Sequence, residues 1–424
     1  MQHERMSHAY DAQGRRGANR SRSARAAALL VIGAHLASAA AARAQAQMEF
    51  IPSLSLFGVY DDNLFARIDG TAGQMMQLRP SFEGNYESPT LRLLGLYAFD
   101  MQRSNFSSLN TLDARRHALG ETRLRTSPFT TLGLTVRYDR SETPGDIDID
   151  TGILGERREA ERLELTPSVG RRLGPRTTLT TGYTWTTEHL VDGERGTLHA
   201  GRVTLSRDVT PRSALIGSYV GRYFSPDPGS PIPDPGSHTS HALLLGWERQ
   251  LAPGTRLALS AGPKTTSYNG LDVEIAGGLA RATPRLRTAV DYWHGETIVL
   301  GIGGPIAVDS VSTRLAWPFR HRMELATHTG VSAIATIDGR ASTIYRGTLV
   351  GSWSPDARYT LAATYGLDFQ DGSLRHPVFL DGEPLSLEGQ ILRHVVRVSV
   401  TIAPRYTRSI LPPEEAARAK GVTR

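Results

Sequence analysis

The stretch RYTLAATYGLDFQ, residues 358–370, decides the fold class, because apolar and polar side chains alternate along its whole length. A period of two is what a β-strand with one apolar face requires, since successive side chains point to opposite faces. The positions predicted for the apolar face are Tyr359, Leu361, Ala363, Tyr365, Leu367 and Phe369. The positions predicted for the polar face are Arg358, Thr360, Thr364, Asp368 and Gln370. This segment therefore predicts an unusually long strand. Strands in soluble sheets commonly have about five or six residues.

The same alternation recurs along the chain. Segments 74–86, 131–139 and 392–402 each place apolar residues on one face and polar or charged residues on the other. The chain also holds 42 glycines and 24 prolines, a composition typical of many strands separated by turns. The sequence therefore predicts an all-β fold.

The connections between these segments alternate in length, which is a second and independent signal. One set is short and usually contains proline, which cannot donate a ladder hydrogen bond and therefore marks turns. These turns are predicted at 87–90, 127–130, 173–176, 209–213, 251–255, 282–285, 317–321 and 354–357. The other set is mostly longer and polar, and includes 141–158, 225–237 and 371–390. Eight short turns and nine longer loops predict about 18 strands, or 16 if the weakly alternating segment 114–125 is not one.

Long strands of even number, each with one apolar face, predict a transmembrane antiparallel β-barrel with short periplasmic turns and longer external loops. Only helices and closed sheets satisfy all their backbone hydrogen bonds in lipid. The alternative is a large soluble β protein, such as a propeller or tandem sandwiches, with shorter strands and similar turns on both sides. Pro80 and Pro167 fall within predicted strands and Pro404 near the end of the last one, so bulges or rim positions are expected there.

Residues 1–44 have the features of a secretory signal peptide. A basic stretch precedes the apolar run 26–42, and small residues predict cleavage near Ala44 or Ala46. Seven arginines and two acids give residues 1–44 about +5 of the formal charge of +6, so no nucleic-acid partner is predicted. Residues 45–406 are predicted to form the barrel and 407–424 a polar periplasmic tail. The chain has no cysteine, which excludes disulfides and a thiol nucleophile.

YDDNLF at 60–65, followed by LRPSFEGNYESPTLRLLGLYAFDMQRSNF at 78–106, resembles a family of outer-membrane β-barrel porins associated with exopolysaccharide secretion loci. The resemblance implies a barrel in the outer membrane of a Gram-negative bacterium, inserted by the barrel assembly machinery. It also implies an outlet, or an accessory barrel, for exopolysaccharide export. The implied partners are outer-membrane lipid, an anionic polysaccharide and a periplasmic polysaccharide-export protein. A general or small-solute diffusion porin and a structural barrel with a plugged lumen stay open as alternatives.

The polar face of the predicted strands is rich in arginine. Guanidinium groups there could pair with the carboxylates of an acidic polymer and attract anions into the channel. The candidates for contact with lumen cargo are Arg79, Arg137, Arg222, Arg287, Arg314, Arg346, Arg393 and Arg397. The same face also carries carboxylates, among them Glu83, Asp139 and Asp291. The arginines could therefore equally line the wall in ion pairs with these acids.

The loop motif GDIDIDTG could place Asp146, Asp148 and Asp150 on one side of an extended chain, where they could chelate Ca²⁺. Thr151 and Arg157 stand where a helix–loop–helix calcium site needs glycine and glutamate, so a solvated acidic loop is favoured. No metal or cofactor is predicted. The sequence contains neither G-x-S-x-G nor H-E-x-x-H, and no enzyme activity is predicted.

The remaining candidate is the triplet Asp61-Asp62-Asn63, which directly follows the first predicted strand. It is interpreted as the first outward-facing loop, just beyond an interfacial tyrosine, where charge costs little. Loops 141–158 and 371–390 are expected to gate a polar lumen.

Overall fold

A computed structural model describes residues 46–68, 70–142, 153–154, 157–190, 195–226, 236–299, 304–337, 339–373, 378–380, 383–385 and 389–410. Nearly all of these residues lie in one antiparallel sheet. The strands are β1 Ala46–Asp61, β2 Gly73–Glu87, β3 Leu91–Ser104, β4 Thr111–Ser127, β5 Thr130–Ser141, β6 Ala160–Gly174, β7 Thr177–Leu190, β8 Arg195–Thr210, β9 Ser213–Pro226, β10 His238–Ala252, β11 Thr255–Thr266, β12 Gly270–Ala282, β13 Arg287–Ile298, β14 Pro305–Arg320, β15 Met323–Thr336, β16 Ala341–Trp353, β17 Tyr359–Gly372, β18 Val378–Leu380, β19 Glu383–Leu385, β20 Gly389–Ile402 and β21 Tyr406–Ile410.

The sheet closes on itself, because β1 has a partner along both edges. One edge pairs with β2 from Gln47 to Asp61. The other edge pairs with β20 from Leu54 to Asp61 and with β21 from Ala46 to Phe50. Within the described residues, β1 to β17 and β20 therefore make a closed barrel of 18 antiparallel strands, with β21 continuing the last strand. The predicted all-β barrel and its strand number are confirmed.

The two rims of the barrel differ in the length of their connections. One rim, called the turn end below, is formed by eight turns of two to five residues and by both ends of the described barrel. The other rim, called the loop end, carries nine connections, of which 62–72, 142–159, 227–237 and 373–388 are the longest. The last of these holds the β18–β19 hairpin, and 105–110 holds a short 3-10 helix, Ser107–Leu109. The predicted alternation is confirmed, with one turn displaced to 321–322 because β14 runs on to Arg320.

The prolines within strands do not produce the bulges that the sequence predicts. Pro80 pairs with Leu54, and Pro167 pairs with Leu134, without any shift of register. Each proline instead interrupts the ladder on the other side, where its missing N–H would be needed. Pro404 does occupy a rim position, between β20 and β21.

The outer surface is apolar and the inner surface polar, the reverse of a soluble protein. On β10, Leu243 and Leu245 are exposed, Leu245 to 76%, whereas the alternate residues Ser240 and Ala242 are buried. Exposed Leu, Val, Ile and aromatic side chains occupy the same outward positions around the barrel. Outward Tyr60, Tyr292 and Trp353 are exposed near strand ends or within outward rows, and Tyr60 is the interfacial tyrosine predicted at the end of the first strand. Among the described residues, no helix has the length and apolar character needed to cross a bilayer.

Candidate functional site

The inner wall carries a set of ion pairs in the half nearer the loop end, and these pairs are largely buried. Arg222 shows how they form. Its guanidinium reaches across β10 and β11, past the small side chains of Ser240 and Ala242, and donates two hydrogen bonds of 2.9 Å to Glu274. Such bidentate pairing is the strongest form of this interaction. The pairs of this group are Asp61–Arg393, Arg79–Asp100, Arg162–Glu188, Arg222–Glu274 and Arg346–Asp368.

The pairs nearer the turn end are open to solvent. Arg314 is 63% exposed and its partner Asp291 44%. These pairs are Arg256–Glu248, Arg287–Glu324 and Arg314–Asp291. The three arginines line a cavity of about 1010 Å³ together with small residues such as Ala280 and Ala289. The lumen therefore has a wide, charged vestibule at the turn end.

Strand register places all eight predicted arginines on the inner wall. Six of them have a carboxylate partner: Arg79, Arg222, Arg287, Arg314, Arg346 and Arg393. Arg137 is exposed to the lumen opposite Glu164. Arg397 lies 5.6 Å from the ring centre of Phe57, and Arg79 lies 4.9 Å from the same ring. Most of these arginines therefore form ion pairs or ring contacts within the inner wall. Their contact with cargo stays a prediction.

A loop crosses the lumen. Ile153 belongs to the connection between β5 and β6, and its side chain is 0% exposed. It packs in a cluster on the opposite wall, about nine strands away around the barrel. The cluster comprises Ile153, Val299, Ile306, Val308, Ile334 and Ile344, with Trp293 against it. Contact across that distance is possible only through the interior, so these residues also establish which face of the sheet is the inner one.

The next residue anchors the loop a second time. The backbone N–H of Leu154 donates a 2.8 Å hydrogen bond to Oε1 of the buried Gln370 on β17. The Leu154 side chain packs with Ala66 and Ile391. Nearer its return to β6, the loop contacts β2, where Arg157 donates to Sδ of Met75 at 3.4 Å. Ile153 and Leu154 therefore lie within the lumen near the loop end, held on the wall opposite β5 and β6.

Glu142 lies at the start of this loop, just beyond β5. Burial raises the pKa of its carboxyl group, while Arg157 and Arg140 oppose the shift. Oε2 of Glu142 is buried and has no hydrogen-bond partner among the described residues. Ionised Glu142 therefore destabilises the folded protein, because a buried charge without a direct partner loses its hydration.

Glu142→Gln should make the protein more stable than the wild type at pH 7. A carboxyl group with a raised pKa favours folding below its unfolded pKa, and this stabilisation is lost as pH rises through the folded pKa. The difference between the two proteins should therefore vanish towards about pH 4, where the carboxyl is protonated in both states. Denaturant midpoints in detergent, measured from pH 7 to pH 4, check this. Exposed Glu87→Gln is the matched control, and a constant difference across the pH range would contradict the role of Glu142.

The Asp61-Asp62-Asn63 triplet ties the first strand to the last. Asp62 and Asn63 do begin the first loop-end connection, 62–72, but Asp61 and Asn63 are buried, so the expectation that the triplet is merely solvated is wrong. Asp61 is fully buried and faces the lumen, where Arg393 of β20 donates hydrogen bonds of 2.6 to 3.2 Å to both of its carboxylate oxygens. The Asp62 carboxylate accepts the backbone N–H of His394 at 2.6 Å.

Asn63 completes this seam and shapes the following turn. Its side-chain amide donates to the carbonyl of Leu392 at 3.1 Å and to that of Arg67 at 2.6 Å. The backbone N–H of Arg67 donates a hydrogen bond to Oδ1 of Asn63. Leu64 then points inward and packs with Met75. The residues of YDDNLF therefore connect β1 to β20 through hydrogen bonds to residues 392–394.

Several residues of the inner wall were not predicted. No sequence pattern singles out Asp100, Glu274 or Glu324 as arginine partners. Ile153 and Leu154 carried a usable signal, since they are adjacent apolar residues in an otherwise polar loop. Asp146, Asp148 and Asp150 lie outside the described residues, so their candidate cation site stays a prediction.

Comparison with known proteins finds no matching family model and no matching curated protein. Solved structures do match over most of the chain. OccAB4 of Acinetobacter baumannii is 9% identical, covers 86% of this chain and 100% of its own, and has a TM-score of 0.47. OccK1 (OpdK) of Pseudomonas aeruginosa is 11% identical, covers 85% and 99%, and has a TM-score of 0.45.

The siderophore receptor PirA of Pseudomonas aeruginosa is also similar, at 10% identity and a TM-score of 0.41, covering 84% of this chain and 80% of its own. Likenesses at these values carry no argument about the function of this chain. The barrel implied by the family resemblance is confirmed by strand pairing alone, and the link to exopolysaccharide secretion stays a prediction.

Proposed function

We propose that this chain is an outer-membrane channel for small solutes. The single observation that carries this proposal is the loop 142–159, whose residues Ile153 and Leu154 are held on the wall opposite the loop's origin. A barrel of 18 strands would otherwise enclose a wide lumen. A strap across it narrows the path to one suited to small molecules.

The membrane location rests on the outer surface of the barrel. Exposed Leu, Val, Ile and aromatic side chains on the outward positions would aggregate in water, whereas lipid accommodates them. Each of the 18 barrel strands, β1 to β17 and β20, has hydrogen-bonded partners on both sides, which is the condition for crossing a bilayer with strands. In this proposal the turn end faces the periplasm and the loop end faces outward.

Export of exopolysaccharide, which the family resemblance implies, is less well supported than passage of small solutes. A polymer chain has to pass the strap formed by Ile153 and Leu154, and that strap is anchored by apolar packing and by a hydrogen bond. An anionic polysaccharide and a periplasmic export protein remain proposed partners only for a barrel whose strap is displaced.

Liposome swelling with the purified full-length chain tests the proposal. We expect permeability to monosaccharides and disaccharides that falls steeply with solute size, and no entry of a long-chain anionic polysaccharide. Empty liposomes give the background. Efflux of the polysaccharide at a rate comparable to that of disaccharides would favour export instead, and no permeability to any solute would favour a plugged structural barrel.

The vestibule arginines should set the ion selectivity of this channel. The double substitution Arg287→Gln and Arg314→Gln removes two exposed positive charges and leaves Glu324 and Asp291 without these partners. A unit charge at 4 Å in water contributes about 1 kcal/mol, or about a fivefold change in local ion concentration. We therefore expect the permeability ratio to shift towards cations by about that factor, measured as a reversal potential across a KCl gradient. Outward-facing Arg171→Gln with Arg249→Gln is the charge-matched control and should leave the ratio unchanged.

A further inference from the structure

Four arginines form a row on the outer wall near the turn end. Arg171, Arg207, Arg249 and Arg281 occupy outward positions on β6, β8, β10 and β12, and all four are exposed. Because the carriers are alternate strands of one sheet, neighbouring arginines are about 10 Å apart. The row therefore runs along one continuous sector of the barrel, at nearly constant height above the turns.

The row is set within an apolar surface. In three of the four strands the arginine lies three residues before the strand ends, with an apolar residue two positions away on either side. These flanking pairs are Val169 and Leu173, Leu205 and Val209, and Trp247 and Leu251. Cross-strand neighbours at this level, such as Leu179, Leu215 and Leu257, are also apolar. Four permanent charges are thus presented from a surface that is otherwise suited to hydrocarbon.

The described strands supply no counter-charge on the outer wall beside this row. The outward positions of β6 to β12 nearest the turn end hold no aspartate or glutamate there, because strand alternation points Asp208 and Glu248 into the lumen. Arg281, one residue before the end of β12, also borders the turn-end cavity. Arg249 lies over the ring of Trp247, at 5.8 Å from its centre, which orients the guanidinium without neutralising it.

We propose that the row of Arg171, Arg207, Arg249 and Arg281 binds the phosphate groups of anionic phospholipids in the membrane leaflet at the turn end. The inference rests on the membrane location in the proposed function and goes beyond it by naming a lipid-binding surface. Guanidinium groups pair with phosphate through two parallel hydrogen bonds. A phospholipid also covers the flanking leucines and valines with its acyl chains, so one ligand matches both the charge and the apolar surroundings.

Native mass spectrometry of the full chain in neutral detergent tests this assignment. The probe is dioleoylphosphatidylglycerol, compared with zwitterionic dioleoylphosphatidylcholine. We expect retention of several phosphatidylglycerol molecules, and an affinity about 1,000-fold lower after substitution of all four row arginines by glutamine, at somewhat less than about tenfold for each charge. The control variant replaces four arginines whose register points them inward, Arg123, Arg125, Arg172 and Arg202, and changes the net charge equally. It should bind the lipid like the wild type.

Equal losses in the two variants would overturn the proposal, because net charge rather than the row would then govern binding. Unchanged binding after substitution of the row would overturn it as well. A shift from dimer to monomer on losing the row, without bound lipid, would assign the surface to a second copy of the chain and would also overturn it. The measurement needs no conductance, so an impermeable barrel that still retains phosphatidylglycerol would refute the channel function and leave this proposal standing.

Discussion

Replacing Asp61 with alanine is expected to open the barrel between its first and last strands. The Asp61 carboxylate is 0% exposed and accepts three hydrogen bonds from Arg393 across this seam. Its loss removes the carboxylate that pairs with a largely buried guanidinium, which typically costs about 3–5 kcal/mol. Part of β20 should then detach from β1. Folded and unfolded barrels migrate differently on a gel without boiling, so the fraction of folded protein can be read directly.

The control for this experiment comes from the same wall. Asp291→Ala breaks an ion pair of the same residue types, but that pair is exposed, and exposed pairs contribute only about 0–1 kcal/mol. It should leave the folded fraction unchanged. Adding Arg393→Met to Asp61→Ala should recover much of the loss, because the largely buried positive charge is then removed. If Asp61→Ala folds as completely as Asp291→Ala, the seam does not depend on this pair.

The motif YDDNLF, on which the family resemblance rests, illustrates how a sequence pattern can predict a fold without revealing the role of its residues. The alternation up to Tyr60 correctly predicts a strand that ends near Asp61, yet it cannot reveal that the triplet faces residues 392–394. That contact spans more than 300 positions and depends on closure of the whole barrel. Charge next to a strand end is normally solvated, and only the burial of Asp61 shows that here it is structural.

On the inner wall, the sequence predicts which face a residue occupies but not which residue it contacts. Alternation assigns Arg222 and Glu274 to the polar face, because the face depends only on a period of two. Which acid meets which arginine depends on register and on the size of the side chains between them, and Arg222 passes two strands to reach Glu274. The prolines failed as predictors for a related reason. Because proline lacks an N–H, Pro80 and Pro167 each interrupt the strand pairing on one side only. The residue pairing before and after each gap keeps the same register.

The apolar pair Ile153 and Leu154 stands out in the sequence, but the wall on which it docks does not, and displacing this strap should have the largest functional effect. Ile153→Asp places a charge in a fully buried apolar cluster. Burying an isoleucine side chain contributes about 1.5–3 kcal/mol, so losing about 2 kcal/mol lowers the ratio of docked to undocked strap about 30-fold. The lumen should then be open for most of the time. Single-channel recordings should show a higher conductance, and liposomes should admit larger sugars.

The matched control is Ile337→Asp, the same substitution at an exposed residue of another loop-end connection. It should leave conductance and size limit unchanged. Gln370→Ala removes the hydrogen bond to Leu154 and leaves the apolar packing of Ile153 in place, so we expect a smaller change in the same direction. Both strap variants should keep the heat-modifiable migration of a folded barrel, because neither residue takes part in the Asp61–Arg393 seam. A folded Ile153→Asp barrel with wild-type conductance would mean that the strap does not limit passage, and the argument for small solutes would then lose its main support.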